Sequence, residues 1–439
     1  MTDSKSRRNF LKSLATATAG FPLLLSETNP LRAMVHPEPF SFEQEAGKPL
    51  ANKRFWELVR KEFSLTHDRI YFNTGGLGPS PRYVMDSTMK MMRKVNEISE
   101  TEHHVLGDIR NRAATFLGCD ANELAFTRNA TEGMNIIARG VAQGLNLGSD
   151  DEIITTTHEH PGGAMPWLGL KNDRGVKIKL VDPVADPEEN LKKILKLISP
   201  KTKGISISHV TCTLGYKFPV KEICTEFHKR GLFCALDGAQ AVGMFPVNLH
   251  DIGCDFYTTS GHKWLLGPKG TGIVYIRKEI RDKFVPEFVG AYSNSDYDLD
   301  KLELKYLNTA IATEYGTRSA PLVAGIGASM DFLDTIGMQR VAEHGAQLAG
   351  YFKQEVRKIR NVSVLTPMSL DTSNSIATFK VHGMNYEDVV HALMKRKLRT
   401  RPVGEHHINA IRVSFHVFNQ MKEVDVLLKN IREVIQKTQ

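Results

Sequence analysis

Residues 237–272 decide the fold: Asp-Gly-Ala-Gln-Ala-Val-Gly at 237–243, Cys-Asp-Phe-Tyr-Thr-Thr-Ser-Gly-His-Lys at 254–263, and Gly-Pro-Lys-Gly-Thr-Gly at 267–272. Residues 232–236, Leu-Phe-Cys-Ala-Leu, have the length and composition of a buried strand, with Asp237 at its end. Residues 256–259 read as a second strand that delivers Ser260, Gly261, His262 and Lys263 into a turn. Residues 273–276 leave that turn as a third strand. An acid and a lysine therefore both stand at strand ends, where open α/β sheets place their ligands.

A lysine amine forms a Schiff base with a carbonyl cofactor, and an anionic acid beside a pyridine nitrogen keeps that nitrogen protonated. The protonated ring can then take up the electrons of a carbanion. Ser260 and His262 add donors beside the lysine that suit a phosphate. Alone, each residue is an ordinary strand-end Asp or solvated loop Lys. Together with Gln240 and the glycines they read as a site for pyridoxal 5'-phosphate (PLP), with Lys263 and Asp237 catalytic.

Asp-Gly-Ala-Gln at 237–240 followed by Ser-Gly-His-Lys at 260–263 and the Gly-Pro-x-Gly-x-Gly run resembles the class V aminotransferases of PLP fold type I. That family includes cysteine desulfurases, several aminotransferases and isopenicillin N epimerase. The resemblance runs from about Tyr71 to the C-terminus and implies a mainly parallel seven-stranded sheet flanked by helices, with a smaller α+β domain. It also implies that Lys263 carries the cofactor, Asp237 pairs with its ring nitrogen and Gln240 faces its ring oxygen.

Other segments add candidates. Residues 124–127 read as a strand, Asn129 and Ala130 as a turn, and Thr131 as the N-cap of a helix starting at Glu132, which aims free amides outward as a phosphate site. The family's matching Ala-Thr-Glu supports Ala130, Thr131 and Glu132 as cofactor-binding. In Thr-His-Glu-His-Pro-Gly at 157–162 the resemblance makes His160 the residue stacked on the cofactor and a proton shuttle; His158 is the rival, two positions away. The glycine turn at 73–78 lies over the active site in the resembling family, so Asn73, Gly75 and Gly76 are substrate candidates, or a plain turn. Thr317 in Gly-Thr-Arg at 316–318 is expected to reach a partner's cofactor phosphate across a homodimer with shared active sites. Arg318 binds a substrate carboxylate or forms a structural ion pair. Residues 411–415 alternate, which puts Arg412 and Ser414 on one face, and the family holds the substrate α-carboxylate with an arginine here. No metal site is expected, since no third ligand stands near the His-x-His.

Two departures bear on the reaction. Desulfurases carry Ser-Asn-x-x-Gly where this chain has Thr-Cys-Thr-Leu-Gly at 211–215, and the epimerase-like branch, with Thr-Ser, is nearer. Cys212 is a small packing residue or a catalytic one. Closely related desulfurases have Gly-His-His-Cys where this chain reads Gly-Glu-His-His-Ile at 404–408, and no cysteine follows Cys254. The resulting expectation is a PLP-dependent enzyme acting on the amino group or α-carbon of an amino acid or small peptide, by transamination or epimerisation. The alternatives are a cysteine desulfurase or C–S lyase, or a catalytically retired PLP-fold binding protein.

A length of 439 residues allows two or three domains, and a hydrophobic content of 41% with 24% charged residues is ordinary for a globular protein. The net charge of +8 is scattered, without a basic stripe or recognised module, so no nucleic-acid partner is expected. Ser-Arg-Arg-Asn-Phe-Leu-Lys at 6–12, followed by a weakly apolar run at 14–25, matches a twin-arginine export signal too short for an ordinary membrane span. It implies contact with the export machinery and a periplasmic protein, anchored if the signal is not cleaved near Ala33. The expected organisation is a signal segment at 1–33 and an N-terminal segment at 34–80 joining the small domain. A large PLP-binding domain at 81–315 and a small C-terminal domain at 316–439 complete it.

Overall fold

The computed structural model describes residues 52–437, so the twin-arginine segment and its cleavage region lie outside the described residues. The central sheet has seven strands: β1 (Leu124–Thr127), β2 (Glu152–Thr156), β3 (Lys177–Val181), β4 (Thr202–Ser208), β5 (Phe233–Asp237), β6 (Phe256–Ser260) and β7 (Gly272–Ile276). Their order is β1-β7-β6-β5-β4-β2-β3. Every neighbouring pair is parallel except those made by β7, which runs against both β1 and β6.

The apolar runs of β5, β6 and β7 are continuous because both faces are covered, and the two-residue period divides them between two cores. Leu236, Tyr257, Ile273 and Tyr275 face one cluster, and Ala235, Phe256, Val274 and Ile276 face the other. Helices α1 (Arg82–Ile98), α2 (Ala130–Gly144), α3 (Pro161–Arg174) and α4 (Ala320–Ile336) form part of the covering layers.

A second sheet of β8 (Val362–Val364), β9 (Ile376–Val381), β10 (Arg401–Val403) and β11 (Ala410–Ser414) has the order β8-β9-β11-β10 and is antiparallel throughout. Residues 70–72 dock on this smaller unit, while Phe55, Trp56, Val59 and Phe63 pack in a core cluster of the large sheet. Ile70 and Tyr71 pair in parallel with Leu398 and Arg399, and Ser414 donates its amide to Phe72 O at 2.9 Å. One boundary needs correction. Helix α4, expected in the C-terminal domain, packs on α1 of the large layer. Gly325 permits the approach, since a Cβ there would lie 2.3 Å from Thr88 Oγ1 and from Pro268.

Candidate active site

Loops leaving the C-terminal ends of β1, β2, β4, β5 and β6 converge with the inner face of the second sheet on a cavity of about 320 Å³. That volume lies within the range of small-molecule sites. It is also the place where an open α/β sheet gathers ligand-binding groups.

Lys263 and Asp237 both line this cavity. Burial pulls the Lys263 amine below its usual value, with Asp237 opposing the shift, so the neutral amine is easier to reach than in a solvated lysine. Asp237 is held at the end of β5 by the Ala239 amide, 2.9 Å from Oδ1. Its Oδ2 lies against Gly163, where a Cβ would come within 3.2 Å. Gln240 is oriented by chemistry: Trp264 Nε1 can only donate, at 2.8 Å, so it fixes Oε1, and the amide nitrogen donates to Gly75 O at 2.9 Å. One N–H of Gln240 is left for the cavity.

The paired histidines separate cleanly. His160 lines the cavity and caps α3, its Nδ1 accepting the Gly162 amide at 3.0 Å, so the neutral ring carries its proton on Nε2. Burial, reinforced by Lys263, lowers its pKa and keeps it neutral. His158 turns away, with Nδ1 2.8 Å from Thr213 Oγ1 and its ring 5.8 Å from that of His406.

The opposite end suits a phosphate. Asn129, Ala130 and Thr131 open α2 against Ser260 and His262. Ala130 donates to Ser260 Oγ at 3.2 Å, and His262 Nδ1 lies 3.2 Å from Thr271 O, which leaves Nε2 as the ring atom for an anion. The helix N-terminus adds its dipole. Two expectations need correction here. The N-cap is Asn129, whose Oδ1 takes the Glu132 amide at 2.9 Å, so the helix starts earlier than Thr131. Glu132 lies outside the cavity, with Oε1 2.9 Å from Arg128 Nε. Asn129 is one of the lining residues missed by the sequence reading, although its place before the Ala-Thr pair is a capping signal.

Arg412 projects from β11 into the cavity and is fully buried. NH1 donates to Cys212 O at 2.6 Å and NH2 to Asn73 Oδ1 at 2.9 Å, while Nε has no partner among the described residues. No carboxylate among the described residues pairs with it. Burial, aided by Arg401, lowers its pKa to about 9. A buried cation held only by neutral oxygens is a receptor for a ligand anion. Asn73 thus acts through Arg412, and Gly75 and Gly76 form the wall beside it. Gly75 is needed small, because a Cβ would lie 2.7 Å from Gln240 Oε1 and 3.1 Å from Arg412 NH2.

Cys212 lines the cavity as well, and burial raises its thiol above the usual value. Thr317 does not line this chain's own cavity. Arg318, a substrate candidate, is withdrawn from it: the guanidinium is bound to Glu314 and lies 5.0 Å over the Tyr292 ring. Glu314 also accepts both bonds of buried Arg110 at 2.8 Å, so Arg318 serves a structural network. Arg401 faces the cavity from β10.

The donor set fits PLP: an amine, a carboxylate across the cavity from it, a flat-faced imidazole, and a helix N-terminus with hydroxyl and imidazole donors. Comparison with known proteins agrees. The family described as aminotransferase class-V matches residues 80–427. A probable cysteine desulfurase of Pyrococcus abyssi is 28% identical over 404 residues, covering 87% of this chain and 98% of that protein. The apo structure of a cysteine desulfurase from Thermococcus onnurineus superposes with a TM-score of 0.78 at 27% identity, covering 87% of this chain and 98% of that one. A C-DES variant with glycine covalently linked to its PLP cofactor shares the fold at 22% identity and a TM-score of 0.76, covering 85% of this chain and 99% of that one.

Proposed function

The chain belongs to the aminotransferase class-V family, and from that premise we propose a PLP-dependent enzyme that cleaves the Cβ–S bond of a cysteine-type amino acid as a C–S lyase. Relatives named cysteine desulfurases, aligned over nearly their whole length, favour sulfur chemistry over transamination or epimerisation. The observation that favours lyase over desulfurase is the turn Glu405–His407, which follows the cavity-lining Arg401. It carries no cysteine, and the five thiols of the chain all lie between residues 119 and 254. Among the described residues Cys212 is the one thiol lining the cavity, and it is held protonated by burial.

Without a thiol to receive sulfur, the balanced redox-neutral outcome is elimination. Cysteine and water give pyruvate, ammonia and sulfide, with no oxidant or reductant. PLP, when bound, supplies the electron sink for the pair left at the α-carbon. Arg412 binds the α-carboxylate and Asn73 holds the guanidinium in place. Lys263, with its basicity reduced by burial, removes the α-proton. His160 offers an Nε2–H donor to the departing sulfur. Gln240, locked by Trp264 and Gly75, keeps one N–H directed to the ring region.

We further propose a homodimer and export by the twin-arginine route. Exposed Met85, Met89 and Met92 on one face of α1, with Tyr297, Leu299 and Leu302 on the strand pair at 294–306, supply an apolar surface for a second copy. Export rests on residues 6–25 alone, and no helix of the described residues is long and apolar enough to cross a membrane.

The test is product analysis of the PLP-loaded enzyme with L-cysteine. Equal amounts of sulfide and pyruvate are expected. Alanine with sulfane sulfur would return the desulfurase reaction. A keto acid retaining its sulfur would establish transamination, and loss of optical rotation without sulfide would establish epimerisation.

A further inference from the structure

β5 and β6, which lead to Asp237 and Lys263 at their cavity ends, start beside a second cluster of polar side chains. Cys234 stands near the start of β5, and Asp255 immediately precedes β6. The two are tied together: the Cys234 amide donates to Asp255 Oδ2 at 2.8 Å, and the Asp255 amide donates to Cys234 O at 3.0 Å. His228, the last residue of the helix Val220–His228, brings its Nε2 to 2.8 Å from the same Oδ2. The ligand atoms of His228, Cys234 and Asp255 all lie within 4.8 Å of one another.

A thiol, an imidazole and a carboxylate converging on one point are the ligand set of a zinc-class ion, and sulfur selects against magnesium and calcium. Zinc bonds of about 2.0–2.3 Å put tetrahedral ligands about 3.3–3.8 Å apart. A small inward movement therefore closes the three on one ion. Arg277 approaches the other carboxylate oxygen, Oδ1, at 3.8 Å, which leaves Oδ2 to the cluster. Cys234 and Asp255 are buried, whereas the His228 side chain is 31% exposed and opens a path from solvent.

The surroundings are rich in sulfur. Cys224, one turn before His228 on the same helix, is bonded to the Cys234 thiol, and Cys254 precedes Asp255 in the chain. Burial, the bond to Cys224 and the charge of Asp255 hold the Cys234 thiol well above its usual value. A bound cation inverts that balance: the thiolate takes the ion and the thiol proton leaves to water. The C-terminal end of the helix adds partial negative charge beside His228.

We propose that His228 Nε2, Cys234 Sγ and Asp255 Oδ2 form a binding site for zinc or a similar divalent transition-metal ion, its fourth position open to water past His228. The bound ion pins the helix Val220–His228 to the starts of β5 and β6. The site stands apart from the cavity and does not depend on the reaction assigned there.

Cobalt(II) is the probe, because its tetrahedral complexes give intense visible bands and its bond to a thiolate adds a charge-transfer band. Chelator-treated, PLP-loaded enzyme is titrated with it. One equivalent per chain is expected to produce both signals, and zinc to displace them. Cys234→Ser is expected to abolish the charge-transfer band, and His228→Gln to weaken binding at least tenfold. Cys212→Ser, which alters the cavity thiol, is expected to leave the spectrum as it was. Zinc should raise the midpoint of thermal unfolding of the unaltered enzyme and not of His228→Gln. Glutamine can still donate to Asp255, so this variant keeps the test open where Cys234→Ser does not fold. No tetrahedral cobalt spectrum in the unaltered enzyme, or one that His228→Gln leaves at full affinity, overturns the proposal. So does a spectrum lost in Cys212→Ser, which would put the ion in the cavity.

Discussion

Asn73 Oδ1 accepts a 2.9 Å hydrogen bond from Arg412 NH2, across 339 positions of sequence. The segment entering the large layer thereby holds the guanidinium that the last strand of the small sheet presents. The carboxylate-binding group is set by two ends of the chain at once, and Ser414 Oγ, 3.2 Å from the Gly75 amide, fastens the same junction.

Asn73→Ala removes a neutral acceptor from a buried cation. Such a loss costs about 1–3 kcal/mol, and it should fall on substrate binding. KM for L-cysteine is expected to rise roughly tenfold or more while kcat changes little, the pattern of a positioning residue. Steady-state kinetics check this. A variant with KM unchanged and kcat lost would place Asn73 in the chemistry instead.

Glu159 lies buried behind Asp237, with Oε1 2.6 Å from Thr156 Oγ1. Burial raises its carboxyl from 4.5 to about 7, against the hydrogen bonds of Thr156 and Ser208. The folded state thus keeps a proton that the unfolded state releases. The stability this group contributes is full below about pH 4.5 and lost as pH rises through 7. Glu159→Gln should flatten the fall in unfolding free energy between pH 5 and 8, by up to about 3 kcal/mol for a shift of this size. Urea titrations across that range measure it, and parallel slopes for both proteins would count against the buried acid.

Gly162 gives the phosphate end its room. A Cβ there would lie 2.3 Å from Thr131 Oγ1 and 3.1 Å from His160 Nδ1. Gly162→Ala is expected to weaken PLP binding about tenfold and to destabilise the protein by about 1–3 kcal/mol, the usual range for overpacking. Dialysis against PLP with absorbance readout, and thermal unfolding, check the two effects. Unaltered affinity would mean that Thr131 and His160 do not meet the cofactor.

The site was legible where chemistry follows strand ends. Asp237 and Lys263 stand at or just beyond the last residues of β5 and β6, so reading the strands placed both. It was not legible where neighbours in sequence diverge in space. Glu132 follows three lining residues, but the helical turn swings it out to Arg128. Arg318 follows the Gly-Thr pair and is captured by Glu314. His158 and His160 share a motif, but only His160 caps α3 and lines the cavity. Arg401 gave no periodic signal, since β10 spans Arg401–Val403 and includes a proline. Its place at the cavity follows from the register against β11.

The most direct measurement is borohydride reduction of the PLP-loaded enzyme followed by peptide mapping, with Lys263→Ala alongside. The pyridoxyl group is expected on the peptide containing Lys263. The variant should lose covalent attachment and fall by several orders of magnitude in turnover. A label on any other lysine, or a Lys263→Ala protein that keeps both colour and activity, would contradict the account.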